Sequence, residues 1–186
     1  MESPLTFLKG PRIYLRALME EDINGPYISW FNDTEICRGN SHHLFPYTKQ
    51  LALKYLETLS KSSDELVFAI VLNDGDRHIG NISLQHIHPI NRSSELSIII
   101  GEKSSWGKGY ASEAAGLLIS HAFLSLNLRR ISCGTFETNI SMQKLARSLG
   151  MTEEGRRRQA AFKDGKYIDI IEYGLLKSEF KPVLNE

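Results

Sequence analysis

The residues with the clearest chemical signature form a short glycine-rich segment, Trp-Gly-Lys-Gly-Tyr-Ala, at residues 106–111. It falls between a β-branched strand predicted at 95–101 and a stretch, 110–126, whose apolar residues recur at helical spacing. Glycines at such a turn let successive backbone N–H groups point inward, and a helix N-terminus adds unpaired N–H groups and a positive dipole end. The segment predicts a pyrophosphate-binding cradle, in which Lys108 supplies one positive charge.

The same two glycines are compatible with an ordinary tight strand-to-helix turn, and the motif alone does not decide between the two interpretations. The segment is not a Walker loop, because no Gly-Lys-Ser/Thr follows four intervening residues. It is not a Rossmann fingerprint either, because the strand before it belongs to a meander. An anion-binding fold of another kind is therefore expected.

Composition favours one compact domain spanning 1–186, with 41% hydrophobic residues. The formal net charge of zero disfavours nucleic acid and anionic membranes as partners. No signal-peptide pattern and no apolar run of ~20 residues is present, which favours a cytoplasmic location. Cys37 and Cys133 are far apart and in no metal-type spacing, so we expect two free thiols, with Cys133 buried in a strand, and no metal.

Hydrophobic periodicity predicts the elements that position the cradle. Strands are expected at 12–18, 65–72, 78–87, 95–101, 130–136, 151–162 and 167–176, and helical stretches from residue 20, at 48–59, after 110 and at 141–149. This order indicates an α+β protein whose sheet is mixed and mostly antiparallel. Only the crossover from the fourth to the fifth strand, through the long helix, needs to be parallel.

At this point the chain resembles the GNAT superfamily of acyl-CoA N-acyltransferases. The signature of that superfamily is Gln or Arg, two residues, Gly, one residue, then Gly or Ala, and Gly109 and Ala111 match it. Trp106 stands in place of the Gln or Arg. Together with Ser112-Glu113-Ala114, this departure is similar to the Rim-type branch, which contains the ribosomal-protein N-terminal acetyltransferases.

A second motif strengthens the resemblance. Residues 139–151 are similar to the family's Asn-x-x-Ser-x-x-Leu-x-x-x-Leu-Gly-Phe segment, and Met142 replaces its Ser. The positions in register are Asn139, Leu145, Leu149 and Gly150. The segments 12–16, 30–33 and 164–169 are also similar, so the resemblance covers essentially the whole chain.

The resemblance implies a single-domain GNAT-like fold with a central sheet of about seven strands, flanked by about four helices and splayed between strands four and five. It further implies that the pantetheine arm of acetyl-CoA fills the splay and pairs with the backbone of the fourth strand. Asn139 is expected to be both a helix cap and a cofactor contact. The expected cofactor-binding residues are Ile98, Ile99, Ile100, Trp106, Gly107, Lys108, Gly109, Tyr110, Ala111, Ser112, Asn139 and Lys144.

Direct attack on the thioester needs a neutral amine, whereas a lysine-like amine with a pKa near ~10.4 is mostly protonated at neutral pH. A carboxylate near the acceptor is therefore expected. Glu95, at the start of the fourth strand, is the first candidate for the catalytic base, although a Glu at a strand edge is often only solvated. Glu137 and Glu172 are lesser candidates. Unpaired strand N–H groups in the splay would stabilise the oxyanion.

The proton for the departing thiolate has no evident side-chain source. Many relatives place a Tyr seven residues after the Asn of the second motif, and this position is Ala146 here. A thiol with a pKa of about 8.5 leaves readily as thiolate, so water or the new ammonium can supply the proton. Tyr110 and Tyr173 are the side chains that could assist.

The acceptor pocket is predicted by resemblance alone, at the first helices and the final hairpin. Its expected residues are Trp30, Asn32, His42, His43 and Tyr167. Aromatic and neutral polar groups suit a peptide N-terminus or an amino sugar, whereas a polyamine needs clustered carboxylates. Acidic residues at 20–22, 33 and 35 keep the polyamine possible. His86 and His88 are interpreted as structural.

The predicted function is transfer of an acetyl group from acetyl-CoA to a primary amine, in a ternary complex, by a monomer or homodimer. The acceptor is a protein N-terminus or a small molecule, with nucleotide-linked amino sugars and polyamines as alternatives. A non-catalytic acyl-CoA-binding module is the alternative from another class, and a protein that binds a different nucleotide in the same cradle is weaker. Acceptor loops vary within a shared scaffold, so the sequence does not identify the amine.

Overall fold

The computed structural model of the protein describes residues 5–181. The strands are β1 Leu8–Lys9, β2 Ile13–Ala17, β3 Leu66–Leu72, β4 His78–His88, β5 Ser93–Ile100, β6 Arg130–Phe136, β7 Thr152–Lys163 and β8 Lys166–Leu176. The α-helices are α1 Glu20–Ile23, α2 Tyr27–Phe31, α3 Lys49–Leu59, α4 Tyr110–Leu124 and α5 Ile140–Ser148, and short 3-10 turns occupy Ile36–Gly39 and Lys103–Ser105.

All eight strands belong to one sheet, in the order β1-β2-β3-β4-β5-β6-β8-β7. Every neighbouring pair is antiparallel except β5 and β6, which are joined through α4. These two parallel strands pair only from Ser93 to Glu95, opposite Arg130 to Ser132. Beyond Glu95 they diverge like the arms of a V, with β5 paired to β4 alone and β6 to β8 alone. The predicted α+β sheet and its splay are confirmed.

Three details differ from the predicted elements. The two-residue strand β1 adds an eighth strand, and it is too short to show a period-two pattern. The first helical stretch is two helices, because Gly25-Pro26 interrupts it, and Pro26 has no N–H to continue the ladder. Strand β5 starts at Ser93, two residues earlier than expected, where polar Ser93 and Ser94 pair with β6.

The sheet separates two hydrophobic clusters. Helices α4 and α5 pack on one face, where Phe123 and Ile131 are fully buried, and α1 to α3 cover β2 and β3 on the other face, against residues such as Val71. Along β5 the side chains alternate: Ile98 packs on the α4 side and Ile99 on the α1–α3 side. Because the acceptor pocket is predicted at the first helices, we call the second surface the acceptor face.

Candidate functional site

The glycine-rich segment lies where the sequence predicts it, between β5 and α4. Gly107 and Gly109 have left-handed φ values of +72° and +81°, which residues with a side chain rarely adopt, and Gly109 is the N-cap of α4. Within residues 5–181, no backbone N–H from 107 to 112 donates a hydrogen bond to another residue. Donors clustered in this way at a helix N-terminus suit a phosphate group.

The other residues of the segment surround these donors. Trp106 donates from Nε1 to the carbonyl oxygen of Ile100 at 2.7 Å, so its indole lies against the end of β5. Lys108 and Ser112 are exposed, and Tyr110 and Ala111 are half-buried. The segment therefore presents backbone donors and one lysine to solvent, with little side-chain bulk above them.

The edge of β5 that faces the splay has backbone groups without a strand partner in the described part of the chain. Gly101 donates its N–H to Ile79 across the ladder with β4. In an antiparallel pair successive residues turn their N–H and C=O groups to opposite sides, so Ile99 is bonded to β4 while Ile98 and Ile100 direct theirs into the V. The carbonyl of Ile100 is taken by Trp106. An extended amide-containing chain could pair with this edge as an added strand.

Asn139 caps α5 as predicted: its Oδ1 accepts the N–H of Met142 at 3.1 Å. Its Nδ2 donates to the carbonyl of Gly39 at 2.9 Å, so both ends of the amide are used inside the protein. A Cβ added at Gly39 would lie 2.5 Å from that Nδ2, which explains the glycine. Lys144, on α5, is exposed. The geometry thus gives Asn139 a scaffolding role and leaves Lys144 accessible.

Glu95 lies at the vertex of the V. It is the last residue of β5 opposite β6, where its partner is Ser132, and alternation along β5 puts its side chain on the acceptor face with Ile99. The side chain is 43% exposed, and its Oε2 lies 3.4 Å from Nδ1 of His86. Sequence reasoning missed His86 as a neighbour, because a bulge between Gln85 and His88 turns it out of the regular strand alternation.

Neither cysteine is placed to act as a nucleophile. Cys133 is fully buried, and burial, together with the charges of Glu95 and Glu172, raises the pKa of its thiol to about 12. Cys37 is also fully buried, and burial raises its pKa. Both thiols are free, as predicted. A thiolate is the reactive form, so an acyl-cysteine intermediate is disfavoured.

The structure separates the two tyrosines considered as acids. Tyr173 is fully buried, and its hydroxyl lies 3.3 Å from Glu153 on β7, on the sheet face opposite to Glu95. It is therefore not available to the splay. Tyr110 is half-buried at the first turn of α4 and belongs to the cradle segment. Ala146 is fully buried in the core.

Of the predicted acceptor residues, Trp30 is buried and Asn32 is a loop anchor. The indole of Trp30 is 3% exposed and packs edge-on against His78, and a Cβ at Gly101 would overlap it. Asn32 donates from Nδ2 to the carbonyl of Tyr47 at 2.7 Å and accepts the N–H of Tyr47 at 2.8 Å. Trp30 is therefore out of reach of a substrate, whereas Asn32 is exposed and holds the loop at Tyr47.

The remaining acceptor residues are exposed. His42 packs edge-on against Phe31, with ring centroids 4.7 Å apart, and His43 occupies a left-handed backbone conformation in the same loop. Tyr167 is 67% exposed at the end of the β7–β8 hairpin, where its ring packs against Phe162. Of the five predicted acceptor residues, the structure therefore buries Trp30 and leaves the other four exposed.

Residues 36–40, which we call the bridging turn, connect the two sides of the site. Lys163 at the hairpin tip donates to the carbonyls of Cys37 and Asn40 at 3.0 and 3.1 Å, and Asn139 holds Gly39 from the start of α5. Just before this turn, Asp33 and Glu35 pair with Lys103, which follows β5. The bridging turn is therefore fastened to elements that follow both arms of the V.

Carboxylates around the open end of the V are neutralised within the chain. The pairs, at 2.5 to 3.0 Å, are Lys103 with Asp33 and Glu35, Arg156 with Glu137 and Asp169, and Arg157 with Glu172. Hydrogen bonds from Lys103 lower the pKa of Asp33, which keeps it ionised. Glu95 differs, because its neighbour His86 is a cation only when protonated.

Comparison with known proteins gives the family. Residues 12–152 match the acetyltransferase (GNAT) domain family. The chain is 30% identical over 171 residues to the uncharacterized N-acetyltransferase p20 of Bacillus licheniformis, covering 91% of this chain and 95% of that protein. It is 31% identical over 111 residues to spermidine N(1)-acetyltransferase of Vibrio cholerae, covering 59% and 64%. The structure of RimL, a ribosomal L7/L12 alpha-N-protein acetyltransferase in complex with coenzyme A, shares the fold with a TM-score of 0.81 at 20% identity, covering 90% and 95%.

The chain belongs to the GNAT acetyltransferases and is an acetyl-CoA-dependent enzyme that transfers an acetyl group to an amine. The site fits this cofactor, because its cradle offers N–H donors and its strand edge offers amide groups that have no partner among residues 5–181. Among residues 5–181 no group of three or more His, Cys, Asp or Glu side chains could hold a metal ion. In the same part of the chain, no helix is both long and apolar enough to cross a membrane.

Proposed function

We propose that the protein acetylates a singly charged primary amine, such as a protein N-terminus, by direct attack on acetyl-CoA bound in the splay. The observation that carries this proposal is the position of Glu95 at the vertex of the V, where the free edge of β5 meets β6. From Glu95 to Ile100 the strand rises about 17 Å. An extended pantetheine arm on this edge would bring the thioester towards Glu95 when the pyrophosphate is in the cradle.

In this proposal the donor is held mainly by backbone. The N–H groups of 107–112 bind the pyrophosphate, with Lys108 and Lys144 near it, and the free groups of Ile98 and Ile100 pair with the pantetheine amides. Acetyl-CoA supplies the activated acetyl group. A free strand N–H in the splay stabilises the oxyanion that develops when the amine attacks.

Glu95 is proposed as the base that removes a proton from the incoming ammonium, directly or through a water. Its partial exposure and its position on the acceptor face give it access to both the amine and solvent. Glu172 and Glu137 are less suitable, because each is already paired with an arginine. The departing thiolate takes its proton from water or the product ammonium, because Tyr110 lies at the pyrophosphate end of the site, away from the thioester.

Charge pairing around the site argues for one charge on the acceptor. A polyamine carries several cations and needs several free carboxylates, whereas five of the carboxylates here already have partners within the chain. Exposed apolar side chains occur in the loop after the bridging turn and at the hairpin tip. They are Leu44, Phe45, Phe162 and Tyr167. A peptide N-terminus with apolar first residues suits this surface. The similarity of residues 106–114 to the Rim-type branch also supports a peptide acceptor.

Spermidine is the second candidate, because a spermidine acetyltransferase is among the relatives. The proposal also includes a cytoplasmic location, one domain over 1–186, and a monomer or homodimer. A nucleotide-linked amino sugar is less suitable, because its polar groups would lie against the exposed apolar side chains Leu44, Phe45, Phe162 and Tyr167. The acceptor panel below separates these substrates.

The test is thiol release from acetyl-CoA with N-terminal peptides, an amino sugar and spermidine, with the acetylated product identified by mass. We expect the highest kcat/KM with peptides. Glu95→Gln should lower kcat about 10²-fold or more, and the defect should shrink above the pKa of the peptide amine, ~7.7–8.0, where the amine is already neutral. Glu57→Gln, on the exposed face of α3, is the matched control.

Three outcomes would refute parts of this proposal. Higher kcat/KM with spermidine than with every peptide would refute the acceptor class. An unchanged kcat in Glu95→Gln at neutral pH would refute the role of Glu95 as the base. Tight CoA binding without transfer to any amine would make the protein a binding module.

A further inference from the structure

Arg12, the residue just before β2, contacts the cradle although it lies 96 residues before Lys108 in the sequence. Its Nη1 donates to the carbonyl oxygen of Lys108 at 2.8 Å, and its Nε donates to Oε2 of Glu113 at 2.7 Å. The guanidinium lies over the ring of Tyr110, 5.0 Å from its centroid. Arg12 therefore contacts residues on both sides of Gly109.

Glu113 fixes the position of Arg12. Its side chain is only 12% exposed, and Oε1 accepts the backbone N–H groups of Arg12 and Ile13 at 2.8 and 3.2 Å. A Cβ at Gly10 would lie 2.6 Å from this oxygen, so the glycine makes room for the carboxylate. One carboxylate on the first turns of α4 thus joins the helix to the start of β2.

The bond to Lys108 has a consequence for the cradle. In a trans peptide the C=O and the following N–H point in opposite directions. Because Arg12 holds the carbonyl of Lys108 on its own side, the N–H of Gly109 must point away from Arg12. This N–H is one of those without a partner within residues 5–181. Glycines on both sides of Lys108 leave the peptide free to rotate unless it is held.

We propose that Arg12 is a positioning residue for cofactor binding, which locks the Lys108–Gly109 peptide so that its N–H faces the pyrophosphate. Glu113 supports this role by holding the guanidinium. Arg12 acts through the peptide, and its charge adds to the positive potential of the helix N-terminus. The proposal rests on the proposed binding of the pyrophosphate by residues 107–112.

The test compares Arg12→Lys, which keeps the charge but loses the planar guanidinium that makes both bonds, with Arg129→Lys as the control. Arg129 is exposed and lies just before β6. We expect Arg12→Lys to raise the KM for acetyl-CoA and the Kd for CoA about tenfold, equivalent to ~1.4 kcal/mol. The kcat at saturation and the KM for the amine should change less than twofold. The Kd for 3′-dephospho-CoA should rise by the same factor, because it carries the same pyrophosphate.

Gly109→Ala, measured together with Arg12→Lys, separates the positioning role of Arg12 from the proposed binding of the pyrophosphate by residues 107–112. If Gly109→Ala weakens CoA binding and Arg12→Lys does not, the positioning role is wrong and the cradle stands. If neither variant weakens binding, the cradle itself is wrong. A loss confined to CoA, absent with 3′-dephospho-CoA, would mean that Arg12 contacts the 3′-phosphate and would overturn the proposal. Should Arg12→Lys fail to fold, Glu113→Gln must show the same selective rise in Kd.

Discussion

Replacing Gly109 by alanine tests whether the backbone conformation of the cradle, and not its side chains, binds the donor. Gly109 has a φ of +81°, and forcing an L-residue into this region costs roughly 1–2 kcal/mol. The added Cβ would lie 3.4 Å from Nη2 of Arg12, an ordinary contact with a flexible side chain. Strain is therefore the main cost, and for a chain of this length it lowers Tm by about 2–8 °C.

The strained residue can relax only by rotating the peptides on either side, and this turns cradle N–H groups away from the phosphate. Losing one hydrogen bond to a charged group costs about 1.5–3 kcal/mol, so the KM for acetyl-CoA should rise roughly 10- to 150-fold. Thiol release at fixed amine measures KM, and thermal unfolding measures Tm.

Gly75→Ala is the matched control, because Gly75 has a φ of +75° in the β3–β4 turn and an added Cβ there would contact nothing within 4 Å. It should lose similar stability with an unchanged KM. Equal KM values in the two variants would show that residues 107–112 do not bind the cofactor, and the reasoning would fail.

Two further predictions concern the walls of the site. Trp106→Phe keeps an aromatic ring, although a smaller one, and removes the N–H that bonds to Ile100. This bond is worth about 0.5–1.5 kcal/mol, so calorimetry should give a Kd for CoA about 2- to 12-fold higher. An unchanged Kd would mean that the indole N–H does not shape the strand edge. Burial opposes the ionisation of Asp22, but two hydrogen bonds from Arg16, together with the His78 ring 3.1 Å away, outweigh it and hold the pKa of Asp22 well below its usual range. Its stabilisation is thus complete above the unfolded pKa of ~3.9 and is lost as the pH falls towards the folded value. Asp22→Asn should lower Tm by about 6–20 °C at pH 7, as expected for a broken buried ion pair, and by less at pH 3; an equal loss at both pH values would contradict the assignment.

The sequence predicts the local structure of residues 95–124 well, because that structure depends on local patterns. Glycines at 107 and 109, a β-branched strand before them and an apolar helix after them are consecutive in the chain, and local conformation follows from their types. The parallel crossover from β5 to β6 follows from the same order of elements.

Contacts between distant segments were beyond sequence reasoning. The bond from Arg12 to Lys108 and the bond from Lys163 to Cys37 join residues about a hundred positions apart, and no spacing rule connects them. Trp30 was expected to line the acceptor pocket as an aromatic in a matching segment. Its burial depends on how α2 packs on the sheet, which a short helix with little periodicity does not reveal.

The bulge in β4 is another feature that the sequence does not predict. Alternation along 78–87 predicts a regular strand, so His86 was interpreted as structural. A left-handed residue at His86 breaks the alternation and places the imidazole beside Glu95. No glycine marks this position, and the sequence therefore carried no signal for it.

The claim that the donor pairs with the free edge of β5 is tested most directly by amide hydrogen exchange, measured residue by residue with and without CoA. Ile98 and Ile100 direct their N–H groups into the splay, whereas Ile99 is bonded to β4. We predict that CoA slows exchange at Ile98, Ile100 and residues 107–112 and leaves Ile99 unchanged. Unchanged exchange at Ile98 and Ile100 in the CoA-bound protein would contradict the account.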